Sequence, residues 1–309
     1  MLKRVRGYHV AGQRVTLSGL PISHVQTATN GPSRRSDPNG DYQTGQLYVQ
    51  QFSLTSPRSS YPLLLWHGGG MTGVTWEDTP DGRPGWHDFF MRAGHDTYVS
   101  DAVERGRASW ARYPEINPAQ PEHRPINQAW EIFRFGPEGG YSSNPQERRV
   151  HPNQQFPTDA VDQFSKQFVA RWTNSDLQAQ TAYDTLISQI GPCVILAHSQ
   201  GCSFALKAAQ HAPDKVKAVI LIEPAGVPSL PPTAPTTIPY LIVWGDHFEH
   251  SPLWQQYRTN VQAYVNALEA LGAAVTTLDL PLRGIYGNSH MIMMDKNSDQ
   301  VAALVQDWM

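Results

Sequence analysis

Cys193-Val194-Ile195-Leu196-Ala197-His198-Ser199-Gln200-Gly201-Cys202-Ser203-Phe204-Ala205 is the stretch whose reading decides the fold. Its first four residues are apolar and partly β-branched, as in a buried strand, while Phe204, Ala205, Ala208 and Ala209 recur at helical spacing. Ser199 therefore stands at the tip of a strand-to-helix reversal, the pattern of a nucleophile elbow. So sharp a turn needs small residues two before and two after the serine, because larger side chains would strike the neighbouring backbone. Ala197 and Gly201 meet that need, with alanine in the place more often held by glycine.

Upstream, the apolar run Tyr61 to Trp66 leads into His67-Gly68-Gly69-Gly70. Glycines there let backbone N–H groups approach a ligand closely, as an oxyanion-binding loop requires. One such donor is typically worth about 2.7 to 4 kcal/mol of barrier lowering. Taken alone, the four residues could equally be a Gly-rich turn around a buried histidine; the elbow downstream favours the oxyanion loop.

The 309 residues are 40% hydrophobic and 17% charged, enough for one sizeable α/β core in a single domain, 1–309, with an insertion. A net charge of −3 without long Lys/Arg runs leaves no electrostatic footprint for nucleic acid or an anionic membrane. No apolar stretch reaches the roughly 20 residues of a membrane span, and Met1-Leu2-Lys3-Arg4-Val5-Arg6 is followed by no apolar leader segment. The chain reads as soluble and preferentially cytoplasmic, with export open if a leader has been removed. Cys193 and Cys202 fall at opposite ends of the strand–turn–helix unit, beyond disulfide reach, and read as small core residues.

Tyr8-His9-Val10, Arg14 to Leu17 and Gln46 to Phe52 read as successive strands separated by turns, an antiparallel lead-in to a sheet. Alternation follows: strand 61–66, helix 84–93, strand 97–101, helix 176–190, strand 193–198 and a helix from 200. Further strands are expected at 216–222, 238–244 and 274–280, with helices at 253–271 and from about 291. This order predicts a mostly parallel central sheet flanked by helices. Residues 112–154 break the pattern, being rich in Pro, Gln, Arg and aromatics and too long for an ordinary connection. With Phe164 to Trp172 they are expected to form a cap, approximately residues 112–175, inserted after the strand ending at Asp101. Trp130, Phe133, Phe135 and Trp172 would be costly to leave exposed on a disordered insertion.

An unaided serine hydroxyl is a poor nucleophile, so an imidazole must take its proton during attack. His290 follows the last expected strand and precedes Met291-Ile292-Met293-Met294, which places it at the carboxyl edge of the sheet, where functional groups gather in such folds. His247 and His250 are rivals placed before that strand. Two acids suit the task of orienting the ring: Glu223, ending the run Ala218 to Ile222, and Asp246, following Tyr240 to Gly245.

The loop His67-Gly68-Gly69-Gly70-Met71-Thr72-Gly73, the elbow Ala197 to Gly201 and the segment Ile222-Glu223-Pro224-Ala225-Gly226 together resemble an α/β-hydrolase, over most of the chain. Among these, the chain is similar to a bacterial carboxylesterase branch with a Ser-Glu-His triad. The resemblance implies an α/β-hydrolase fold, catalytic Ser199, Glu223 and His290, and backbone N–H donors from Gly69 and Gln200 to the oxyanion, with Asp246 the alternative acid. The commoner hydrolase arrangement sets an acid about three residues beyond the glycine that ends the next strand, a place held here by Phe248. Some members of the branch carry cysteines where this chain has Gly69-Gly70, so their loop-stiffening disulfide is not expected.

The activity so implied is hydrolysis of small to medium, apolar or aromatic carboxylic esters through an acyl-enzyme. Lactone or amide hydrolysis on the same triad and a non-catalytic ligand receptor are the competing readings. The mechanism needs no cofactor, and His247, His250 and Asp246 lack the further ligands of a metal site. The expected partner is a small-molecule ester, with no nucleic acid and no membrane span, and a homo-oligomer is compatible with the sequence. Trp76, Trp86, Trp110 and Trp254 are candidates for an aromatic pocket lining.

Overall fold

Apolar runs and amphipathic segments alternate in a computed structural model that describes residues 1–309. β1 (Leu2–Leu17), a small hairpin of β2 (Ser23–Gln26) and β3 (Ser33–Ser36), and β4 (Gly40–Leu54) open the chain. There follow β5 (Leu63–Trp66), α1 (Trp86–Ala93) and β6 (Thr97–Asp101). A long segment carrying α2 (Ile126–Ile132) and α3 (Val161–Ser165) then leads to α4 (Asp176–Ile190). β7 (Cys193–His198), α5 (Gln200–His211), β8 (Val216–Ile222), β9 (Pro239–Trp244), α6 (Pro252–Ala270), β10 (Ala274–Asp279) and α7 (Ser298–Trp308) complete it.

Eight strands make one sheet in the order β1-β4-β6-β5-β7-β8-β9-β10. Every pairing from β6 to β10 is parallel, whereas β4 runs antiparallel to both β1 and β6. The expected mostly parallel α/β sheet is therefore present. Its central strands are buried on both faces, as parallel strands covered by helices must be: all four residues of β5 and all six of β7 are buried. On one face Leu64, Trp66, Ile195 and Ala197 pack with α4, α5 and α6; on the other, Leu63, Leu65, Val194 and Leu196 pack with α1 and α7. Each fully buried Leu or Ile side chain contributes roughly 1.5 to 3 kcal/mol by leaving water.

Two expected boundaries need correction. Tyr8 to Val10 and Arg14 to Leu17 lie on one strand, because both halves of β1 find partners on β4, from Tyr8 opposite Val49 to Leu17 opposite Gly40. Ala11 and Gly12, read as a turn, take positive φ of 59° and 92° and bend the ribbon without ending it. The last helix begins at Ser298 rather than near 291. Met291, Ile292, Met293 and Met294 are all buried, and the run makes only a 3-10 turn, Ile292–Met294, before the helix.

The segment between β6 and α4 has its own packing. Trp130, Phe133, Phe135, Phe156, Phe164 and Trp172 are buried, with Phe135 stacked on Phe156 at 3.8 Å between centroids. Trp172 donates its indole N–H to the carbonyl of Ala119 at 3.0 Å, and Glu122 and Arg171 pair through their backbones. Most of these aromatic side chains join the core cluster on the α1 and α7 face of the sheet, and Phe133 also lines a cavity with Ser199.

Candidate active site

At the end of β7 the chain reverses on a single residue: Ser199 has φ 55° and ψ −118°, and α5 starts at Gln200. A non-glycine residue held there stores on the order of 1 to 3 kcal/mol, which its surroundings must offset. The Ser199 amide donates to the carbonyl of Ile222 at 3.0 Å, while its own carbonyl accepts from Cys202 at 3.1 Å and Ala225 at 3.3 Å. Glycine at 201 is a steric necessity, since a Cβ there would lie 2.7 Å from the carbonyl oxygen of His67 and 3.0 Å from that of Trp66.

The His67 loop is fastened from below. His67 Nε2 accepts from the Ala102 amide at 3.0 Å, and Nδ1 therefore carries the proton it donates to the carbonyl of Gly68 at 2.8 Å. Burial pushes this ring down to about 4, so it stays neutral and structural. Gly68 passes so close to the elbow that a Cβ would meet Ser199 Cβ at 2.8 Å. The Gly69 amide makes no hydrogen bond within the protein, and the amide of Gln200, first residue of α5, has no intrahelical partner; both residues line the Ser199 cavity.

Glu223, the residue after β8, has φ 51° and is completely buried. Its Oε2 accepts from His290 Nδ1 at 3.1 Å and from Arg134 Nη2 at 2.7 Å, while Oε1 accepts from the Gly245 amide. Asp246 does not reach the ring. Its carboxylate accepts from the amides of His247 and Gly287, each at 2.8 Å, and thereby braces the loop that leads to His290.

His290 is gripped on all sides. Its amide donates to the carbonyl of Phe133 at 3.0 Å, and its carbonyl accepts from His198 Nε2 at 2.9 Å. The Phe133 ring stacks on it at 5.4 Å and Trp254 lies 4.4 Å away. Burial, reinforced by the charges of Arg134 and Arg124, holds the ring well below its ordinary value, so it is an unprotonated acceptor near neutral pH. His290 and Ser199 line one cavity of about 140 Å³, together with Met71, Phe133, Trp254 and Tyr257. No hydrogen bond joins the serine hydroxyl to the ring, a contact that in unliganded sites often tightens only with substrate.

The structure thus brings together Ser199, Glu223, His290, Gly69 and Gln200. It places His247 and His250 elsewhere: both stack on His151, at 4.6 and 5.1 Å, with ring planes too parallel to converge on a shared ion. Of the tryptophans considered, Trp254 lines the cavity, Trp76 and Trp86 are core, and Trp110 is 53% exposed.

Arg134 is the participant that sequence reasoning missed. It is 1% exposed, holds a positive φ of 58°, donates from Nε to the carbonyl of Asp246 at 2.7 Å, and lies over Phe248 and Trp254 at 4.1 and 4.6 Å. The available signal was a charge between two aromatics, Phe133-Arg134-Phe135, in a segment that must bury its rings.

Residues 137–281 match the family model of the alpha/beta hydrolase fold. A solved structure of a bacterial esterase is 31% identical and aligns over 100% of this chain and 95% of its own, with a TM-score of 0.84. A protein named Probable secreted lipase phiG, from a fungal species, is 28% identical over 87% of each chain. No helix of the chain is long and apolar enough to cross a membrane.

Proposed function

Because the chain belongs to the α/β-hydrolase superfamily, we propose that it is a serine hydrolase of small to medium carboxylic esters, working through an acyl-enzyme on Ser199. The observation that carries this reading is the row formed by Glu223, His290 and the Ser199 cavity, with Gly69 and Gln200 lining that cavity. The esterase and lipase names of the two relatives support the same chemistry.

Ser199 attacks the ester carbonyl as His290 takes its proton, and the amides of Gly69 and Gln200 donate to the oxygen as it gains negative charge. Collapse breaks the carbon–oxygen bond, and the proton returns from His290 to the leaving alcohol. Water then enters and attacks the acyl carbon as His290 takes its proton; collapse breaks the bond from the acyl carbon to Ser199 Oγ, the acid leaves, and His290 returns the proton to Oγ. Throughout, Glu223 holds Nδ1 protonated and stabilises the imidazolium that forms at each proton transfer. The 112–175 segment acts as the cap: Phe133 closes over the ring, and Arg134 fixes the acid. Phe133, Trp254, Tyr257 and Met71 receive the carbon body of the substrate.

A panel of chromogenic esters, lactones and amides compared with Ser199→Ala tests the proposal. Serine-dependent turnover should fall by around a million-fold in kcat, with esters the best substrates. Full turnover by the purified variant would refute Ser199 as nucleophile.

A further inference from the structure

Two guanidinium groups of the inserted segment point into the Ser199 cavity, one from each end of that segment. Arg124 donates from Nη1 to the carbonyl of Gly69 at 3.3 Å, and Arg171 packs so closely that a Cβ on Gly69 would lie 3.2 Å from its Cζ. Both line the cavity with Ser199 and His290.

Neither guanidinium has an acidic partner, in contrast to four of their neighbours. In the same stretch of chain, Arg107 holds Asp101, Arg112 holds Glu115, Arg134 holds Glu223 and Arg148 holds Asp162. Arg105 and Arg149 donate to backbone carbonyls. Arg171 makes no side-chain hydrogen bond, and its Nε is buried without a partner. Asp176, the carboxylate linked to the cavity wall through Gln200, is bound to that residue's side-chain amide at 3.1 Å.

Two cations lining one half-buried cavity repel each other, and burial first, then the nearby charge of Arg171, disfavours the charge on Arg124. An anion between them reverses both penalties, and a carboxylate matches the planar fork of donors that a guanidinium presents.

We propose that Arg124 and Arg171 form a carboxylate subsite beside the oxyanion loop, so that the substrate is a small ester bearing a free carboxylate, such as a half-ester of a dicarboxylic acid. The apolar rings take the carbon chain, and the two arginines set which end of the molecule lies over Gly69. The inference that the bound anion is an ester rests on the hydrolase reading; the subsite itself does not.

Two measurements separate them. With Ser199→Ala, calorimetry should find monomethyl succinate bound at least about tenfold more tightly than dimethyl succinate, the range of a charge-assisted hydrogen bond. That gap should shrink in high salt and vanish when Arg171→Gln is added. Equal affinities for the two succinates overturn the subsite. In turnover, Arg171→Gln and Arg124→Gln should lower kcat/KM for mono-4-nitrophenyl glutarate at least about tenfold more than for 4-nitrophenyl butyrate. An equal loss on both esters means the arginines serve only the oxyanion loop, and overturns the proposal. If the affinity gap is present but neither ester is turned over, the hydrolase reading fails while the carboxylate subsite stands.

Discussion

Arg134 and Glu223 meet at a single carboxylate oxygen: Nη2 donates to Oε2 at 2.7 Å, and the same oxygen receives His290 Nδ1 at 3.1 Å. Both residues of the ion pair are buried, and the arginine comes from the inserted segment while the acid follows a central strand. The proposed triad is therefore tied to the covering segment by a contact that fixes the acid's rotamer. It also sets a positive charge near the imidazole.

Arg134→Met should cost about 3 to 5 kcal/mol of stability, since it leaves a buried carboxylate without its cation. It should also change the pH profile. Arg134 helps hold His290 below its ordinary value, so its removal raises the ring. Because the proposed mechanism needs His290 unprotonated, the acidic limb of kcat/KM should move to higher pH. Denaturant titration measures the first effect and a pH–rate profile the second; an unmoved limb would mean that the charge does not reach the ring.

Glu223→Gln should lower kcat by roughly ten-thousand-fold, the scale expected when the residue that orients the base loses its charge. Asp246→Asn should act on stability instead, weakening the bonds to the amides of His247 and Gly287 at about 1 to 3 kcal/mol, with a far smaller loss of kcat. Parallel kinetics and thermal melts of the two variants decide the acid. A severe kcat loss confined to Asp246→Asn would reverse the assignment.

Gly201→Ala should destabilise the protein by about 1 to 3 kcal/mol and depress ester turnover together, because its Cβ would collide with the backbone oxygens of His67 and Trp66. The equivalent addition at Gly82 meets open space, although its φ of 85° still strains any side chain. A Gly201→Ala enzyme with unchanged melting and activity would contradict the close packing of elbow against loop.

Asp295 supplies a stability test with a defined sign. It is buried beneath the His290 loop, accepts from the Ser289 amide and hydroxyl and from Asn288, and is pushed by burial from 3.8 up to about 7. A carboxyl that binds its proton more tightly folded than unfolded contributes its full stability below about pH 3.8 and loses it as the pH climbs to about 7. Denaturant unfolding from pH 4 to 8 should therefore show wild type losing stability relative to Asp295→Asn across that window. A pH-independent difference would place the proton elsewhere.

The Ser199 turn was legible because its requirements are local: an apolar strand before it, small residues two positions away and a helix after it. Glu223 and His290 were legible as candidates because each follows a strand, and strand ends collect at one edge of a parallel sheet. What the local pattern left open was the choice between Glu223 and Asp246. Both follow strands, and only the packed structure turns one carboxylate toward the ring and the other toward backbone amides. The His67 ring was visible too, but its task of joining the glycine loop to Ala102 depends on a strand 35 residues away.

By itself, the amino-acid sequence determined the alternating α/β architecture, the elbow and the family resemblance, because hydrophobic period, turn chemistry and small-residue spacing act over a few neighbouring residues. Tertiary structure alone decided that β1 runs unbroken, since a strand lasts as long as its partner supplies hydrogen bonds. It also decided that the apolar Met291 to Met294 run is core rather than helix start, and that Arg134 reaches across 89 residues to Glu223. Nothing near Arg134 in the chain marks that partner; the ion pair exists because the aromatic burial of the inserted segment carries the guanidinium to the buried carboxylate of Glu223.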